Sequence, residues 1–236
     1  MGFFSEGLGE FSRGDLWGFV DRHGHEAIEP RYDDTQRFSE GYSAVQIGKN
    51  WGYIDRKGSL RLNPVYDDAG DFEDGLAPVK IGKLWGFIDK AGKFSIAPRF
   101  THASAFSEGL ASVQIDGLYG YVDKTGTVVI EPQFAKSMSF HEGLAETRFP
   151  TFPNPKWGFI DRRGKIAVQP AFDNARRFSE NLAPVEIGGL WGFIGAPPAD
   201  EPSDKQTDAP TNGDPQGSSR PAIPIPRDSL EKVEHD

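Results

Sequence analysis

One eight-residue phrase recurs along the chain at a near-constant interval, and it restricts the fold more than any other feature. It reads Trp85-Gly86-Phe87-Ile88-Asp89-Lys90-Ala91-Gly92, with further copies opening at Trp17, Trp51, Tyr119 and Trp157 and a clipped copy at Trp191. The first four openings are 34 residues apart, the next gap is 38, and the last is again 34. A period of this length marks a repeat architecture. Each unit is one supersecondary element, too small to bury its own apolar face, that must stack on its neighbours.

A second phrase, Phe-x-acid-Gly-(Leu/Tyr), precedes each copy of the first. It opens at Phe4, Phe38, Phe72, Phe106, Phe140 and Phe178, and Asn181 replaces the glycine in the last copy. The two phrases divide the chain into units 4–37, 38–71, 72–105, 106–139 and 140–177, with a half unit at 178–195. Asn tolerates the left-handed backbone best after glycine. Its substitution at 181 therefore places positive φ at Gly7, Gly41, Gly75, Gly109 and Gly143 as well.

Unit 72–105 shows the expected local structure. Ala77, Val79 and Ile81 alternate with Pro78 and Lys80, the period of a half-buried strand. Gly82-Lys83 forms a tight hairpin loop to the second strand, which ends at Asp89. Asp89-Lys90-Ala91-Gly92 is a turn signature. A third strand, Phe94 to Ile96, is expected to stop at Pro98, which has no N–H to donate. The return stretch 99–105 reads as irregular or at most a helical turn. The expected fold is all-β: a tandem array of three-stranded units, open like a β-solenoid, with a closed propeller-like ring as the alternative. The final half unit favours the open form, because it looks like a cap. The row of Trp17, Trp51, Trp85, Tyr119, Trp157 and Trp191 is expected to form the buried ladder between units. The glycine after each Trp leaves space for the indole or for a close backbone.

From Ala196 onwards Pro, Asp, Ser, Gly and Gln dominate and no aromatic occurs, so 196–236 is expected to be a disordered tail following an array over 1–195. The chain carries a formal charge of -9 and no cysteine. Disulfides and thiolate metal sites are thereby excluded, and a chain without basic excess is a poor partner for nucleic acid. The first residues have neither a basic start nor an apolar run, and no segment is long enough to span a membrane. A cytoplasmic location is the default, although Phe4 already lies inside a repeat phrase and the gene start can lie upstream.

The phrases Trp-Gly-(Phe/Tyr)-(Ile/Val)-Asp-x-x-Gly, Ile-x-Pro-x-(Phe/Tyr) and Phe-Ser-Glu-Gly-Leu-Ala resemble those of the bacterial WG-repeat (KWG) family. The resemblance covers residues 4–195. It departs from the pattern at Tyr119, at the insertion before Trp157, and at Gly195 where Asp is expected. It implies a binding or scaffold protein and hands over no catalytic residue.

No nucleophile elbow, phosphate loop or dinucleotide fingerprint occurs, and a feature repeated in most units is structural rather than catalytic. The expected function is therefore a non-enzymatic protein or peptide interaction module with no cofactor and no metal. Cell-envelope or glycan binding through exposed aromatics is the first alternative, and an enzyme of unknown type the second. The Asp residues at 21, 55, 89, 123 and 161 are read as turn formers rather than calcium ligands. The acids at 6, 40, 74, 108, 142 and 180 are read as a solvated edge that discourages strand pairing. His23 and His25 lack a third metal ligand. The one asymmetric feature is the insertion between Phe140 and Trp157. Its Arg148, Phe149, Phe152, Asn154 and Lys156 form a candidate recognition loop, stiffened by Pro150, Pro153 and Pro155. The competing reading folds its phenylalanines back onto the stack.

Overall fold

The computed structural model describes residues 4–150 and 153–198. The expected tail therefore lies, from residue 199, outside the described residues. Every regular element is a strand. The first sheet runs β1 (Phe4–Ser5), β2 (Leu8–Arg13), β3 (Leu16–Asp21) and β4 (Glu26–Tyr32). The second is β5 (Asp34–Thr35), β6 (Tyr42–Ile47), β7 (Asn50–Asp55) and β8 (Leu60–Tyr66). The third is β9 (Asp68–Ala69), β10 (Ala77–Ile81), β11 (Leu84–Ile88) and β12 (Phe94–Phe100). The fourth is β13 (His102–Ala103), β14 (Ala111–Ile115), β15 (Leu118–Val122) and β16 (Val128–Phe134). The fifth is β17 (Lys136–Ser137), β18 (Leu144–Phe149), β19 (Lys156–Asp161) and β20 (Ile166–Phe172). The last has three strands, β21 (Asn174–Ala175), β22 (Leu182–Ile187) and β23 (Leu190–Gly195). All pairing is antiparallel between strands consecutive in sequence, and no strand of the first sheet pairs with the last. The array is open.

Two expectations about the unit are corrected. The return stretch is not irregular: His102–Ala103 pairs with Gln114 and Val113, so most sheets have four strands rather than three. The third strand does not stop at the proline either, since β12 continues through Pro98 to Phe100. Pairing survives because the strand bulges there. Trp85 faces Phe100 and Phe87 faces Ile96, so the three residues Ala97, Pro98 and Arg99 lie opposite the single residue Gly86. The proline sits where no ladder bond is required of it.

That bulge explains the glycine of the Trp-Gly phrase. A Cβ at Gly86 would lie 2.6 Å from the Ile96 carbonyl oxygen and 2.7 Å from the Pro98 nitrogen. The corresponding oxygen distances are 2.4 Å at Gly18, 2.6 Å at Gly52, 2.4 Å at Gly120 and 2.7 Å at Gly158. Of the two reasons considered for this glycine, close approach of backbone is therefore the operative one. Gly192 provides an internal comparison: no third strand follows, and nothing lies within 4 Å of its Cβ position.

The buried ladder between sheets is also not the expected one. It consists of the aromatic that follows each Trp-Gly and the phenylalanine that opens the next unit. Ring centroids are 4.7 Å apart for Phe19–Phe38, 4.9 Å for Tyr53–Phe72, and 4.8 Å for Phe87–Phe106, Tyr121–Phe140 and Phe159–Phe178. All ten rings are at most 2 % exposed. Each such tilted or edge-on pair contributes about 0.5–1.5 kcal/mol beyond its area of burial. The Trp row is shallower: Trp51 and Trp157 are buried, but Trp17, Trp85 and Tyr119 are only half-buried. Neighbouring rings are separated rather than stacked. His102 stands between Trp85 and Tyr119, with centroids 6.4 and 5.6 Å away.

Replacing Gly86 by Val forces the β12 backbone off β11. It is expected to cost about 3 kcal/mol, or roughly 6–12 °C in Tm, whereas Gly192→Val stays within about 0.5 kcal/mol of the parent. Thermal unfolding followed by circular dichroism checks both. Equal losses at the two positions would remove the bulge as the reason for the glycine.

Candidate functional site

The row of acids is exposed or half-exposed, and all but Glu180 also connect one unit to the next. Each acid and its following residue take positive φ, as in Glu40 (52°) and Gly41 (84°), which gives a two-residue turn of the primed type. Sequence placed positive φ only at the glycine. The acid shares it, and its carboxylate is thereby aimed at the next unit. Glu6 accepts from Gly41 N–H at 3.1 Å, Glu40 from Gly75 N–H at 3.1 Å, Asp74 from Gly109 N–H at 2.8 Å and Glu108 from Gly143 N–H at 3.1 Å. Glu142 takes both Glu180 and Asn181 N–H at 2.8 and 2.9 Å. The serine of the phrase adds a parallel bond: the hydroxyls of Ser5, Ser39 and Ser107 donate to the carbonyls of Phe38, Phe72 and Phe140 at 2.6–2.7 Å. The signal was present in the sequence, because serine and acid recur together beside the glycine.

The Asp-x-x-Gly turns are built as expected. Asp21 Oδ1 accepts from the backbone N–H of His23 and His25 at 2.8 and 2.9 Å. The His25 bond in particular holds the Asp21 carboxyl below its ordinary range. At Asp123 the Thr125 hydroxyl does the same first, aided by backbone donors. These carboxylates are occupied by their own turns. His25 Nδ1 lies 3.3 Å from Asp21 Oδ2, and among the described residues no group of three or more His, Cys, Asp or Glu gathers to hold a metal.

The insertion lengthens one hairpin loop from two residues to six, since Phe149 pairs with Lys156. Arg148, Phe149 and Lys156 consequently lie in strands rather than in the loop. Phe149 is half-buried, with its ring 5.3 Å from that of Phe134. Lys156 pairs with Asp173. Arg148 and Asn154 are exposed, and Phe152 lies outside the described residues. The structure thus brings Phe149 and Lys156 onto the stack and leaves Arg148 and Asn154 at its surface.

Behind this hairpin are two polar groups that sequence reading passed over. Glu146 and Thr147 occupy positions that are Pro78 and Val79 in the third sheet, and both are buried. Glu146 Oε2 and Thr147 Oγ1 have no protein hydrogen-bond partner. Burial pushes the Glu146 carboxyl up to about 7, only partly offset by a backbone bond and the charge of Arg177.

The largest irregularity is the end of the array. After β23, Gly195 stands where the other units have the turn aspartate and Pro197-Pro198 follow, and Ala196 N–H bonds Asn181 O at 2.9 Å. With no further strand among the described residues, Phe193 is 72 % exposed, although its counterparts Phe87 and Phe159 are fully buried. Leu182, Leu190 and Trp191 are exposed beside it, and Arg176 lies over the Trp191 ring at 4.9 Å. Arg176, Arg177, Leu182, Pro184 and Phe193 line an open hollow of ≈ 400 Å³. At the other end the Phe4 ring packs on Gly9, 3.1 Å from where a Cβ would stand, and stays 47 % exposed.

A carboxyl that titrates near 7 in the folded chain and near 4.5 when free keeps its proton, between those values, only in the folded state. Stability therefore falls as pH rises through that window. Glu146→Gln removes this group's share of the slope and raises the unfolding free energy at pH 8 by up to about 3 kcal/mol. Urea titrations at pH 5 and pH 8 measure this; an unchanged slope in the variant would assign it elsewhere.

The sequence model described as WG containing repeat matches residues 17–51, 51–85, 85–119, 119–148 and 157–191, and breaks only at the insertion. No curated protein matches the chain. Among solved structures, a plant lectin with two metal binding sites from Cicer arietinum aligns with 78 % of this chain and 92 % of its own at 16 % identity and a TM-score of 0.27. That likeness is too low to bear on fold or ligand. No helix of the described residues is long and apolar enough to cross a membrane. With its repeat matched over well more than half of the residues, the chain belongs to the WG-repeat family.

Proposed function

We propose that the chain is a non-enzymatic module that binds protein or peptide at the end of its array. The observation that carries this reading is the last sheet, which presents Leu182, Trp191 and Phe193 to solvent where every preceding unit buries the equivalent Phe or Tyr. Exposed apolar surface of this kind, rimmed by polar groups, marks interaction sites. Arg176, Arg177 and Glu180 form the rim. Other chemically distinctive groups serve the repeats themselves: the acids join units and the aspartates hold turns. A reaction would need one convergent constellation, and these groups recur unit by unit. Glycan binding along the Trp row is the weaker reading, because its five interior members are buried or half-buried. On the proposed reading, exposed Arg148 beside the six-residue hairpin loop and exposed Asn154 within it provide a second, smaller contact surface.

Immobilised full-length chain should retain proteins from an extract of the producing cells, and Phe193→Asp should reduce that retention about tenfold with Tm unchanged. Quenching of tryptophan fluorescence by cell-wall glycans, with no protein retained, would reverse the assignment.

A further inference from the structure

The array contains five bound examples of what its last sheet lacks. Over each complete Trp-Gly strand lies a segment of the form apolar-x-Pro-x-aromatic: Ile28 to Tyr32, Leu62 to Tyr66, Ile96 to Phe100, Ile130 to Phe134 and Val168 to Phe172. The register is the same in all five. The aromatic faces the Trp or Tyr that opens the phrase, the aliphatic residue faces the aromatic after the glycine, and the proline bulge covers the glycine. The first and last residues of this segment turn inward. Ile96 and Phe100 are buried in the same cluster as Phe87, and Phe172 is buried with Phe159.

The strand β23 keeps every receiving feature of this arrangement. Trp191, Gly192 and Phe193 stand in order, the outer edge is unpaired among the described residues, and Gly192 is open where its five counterparts are covered. A glycine weakens a strand unless something approaches it closely, and nothing within the described chain does so here. We infer that β23 is an acceptor for an extended peptide of a partner protein carrying apolar-x-Pro-x-aromatic, which adds as the missing fourth strand and places its proline bulge over Gly192. Strand addition supplies main-chain hydrogen bonds for affinity, while alternate side chains supply selectivity. The aromatic of the peptide covers Trp191 and its aliphatic residue covers Phe193.

The chain does not hold a fitting strand of its own. Residues 196–236 contain no aromatic, and Ile223 and Ile225 stand directly before their prolines rather than two residues ahead. The five fitting segments of a second copy are already paired in its sheets.

This inference rests on the proposed binding function and specifies its ligand. The probe is a fluorescent synthetic peptide with the sequence of residues 126–135, Gly-Thr-Val-Val-Ile-Glu-Pro-Gln-Phe-Ala, titrated into full-length protein and read by anisotropy. One saturable site is expected. The same peptide with Asp for its isoleucine should bind at least tenfold more weakly. Gly192→Val should cost at least tenfold in affinity with Tm unchanged, because its side chain meets only the incoming strand. Absence of peptide binding, or equal binding by Gly192→Val, would overturn the inference. A dimer in sedimentation of the free protein would overturn it in favour of a second copy. A Tm lowered by Gly192→Val would do so in favour of the chain's own tail. Protein retention that is lost in Phe193→Asp while the peptide fails would leave the end of the array as the binding site and reject only strand addition.

Discussion

The close crossing of a bulged strand over a side-chain-free position is the constraint on which the rest of this structure depends. A hairpin of two short strands has little apolar area of its own. Once the third strand lies against the glycine, its aliphatic residue and its aromatic reach the ring that follows that glycine, and a sheet with one continuous apolar face results. Any Cβ at the crossing would lie within 2.7 Å of a carbonyl oxygen, so the glycine is required sterically and not for conformational freedom. The proline serves the same geometry. It stands in the bulge, where a missing donor leaves no gap in the ladder.

Stacking then follows from positions that recur with the period. The ring after the glycine meets the phenylalanine of the next unit at 4.7–4.9 Å in all five interfaces. Above it, the acid of one turn accepts the N–H of the next, a charge-assisted bond of about 1.5–3 kcal/mol when it leaves no donor unpaired. Arg31 and Arg99 reach forward to the carbonyls of Gly58 and Gly126. Each unit is therefore held by its neighbours. Such an array is a one-dimensional chain of interfaces, and its ends differ from its middle. Here the ends also differ from each other, since Phe4 packs on Gly9 at one while Phe193 stands open at the other.

Much of this was legible in the sequence because the period repeats the evidence. Strands, tight loops and the Asp-x-x-Gly turns could be placed from alternation and turn chemistry alone. The proline misled because a lone Pro usually ends a strand; its partner across the sheet, the glycine, had to be seen with it to reveal a bulge. The indoles misled through size. Trp is large enough to suggest the core, yet the shallow position on the strand goes to Trp85 and the deep one to Phe87. The connecting role of the acid row was missed because it depends on a positive φ at Glu40 and its equivalents, a conformation that L residues seldom adopt. The burial of Glu146 was hidden for the opposite reason, since Glu10 holds the same register position in the first unit while the units between and after carry uncharged Ala44, Pro78, Ser112 and Pro184 there.

Function in this reading belongs to the place where the repeat stops rather than to anything within it. A sheet that ends one strand early retains the edge, the open glycine and the aromatic pair that its predecessors use to hold a strand. The most direct measurement is hydrogen exchange of the free protein, resolved to single amides in β19 and β23. Both edges of β19 are paired, with β18 and β20, so all of its strand amides should be strongly protected. In β23 the alternate amides without a partner on β22 should exchange at close to the rate of an unstructured chain. Uniform protection along β23 matching that of β19 would contradict the account, because it would mean that the edge is already covered.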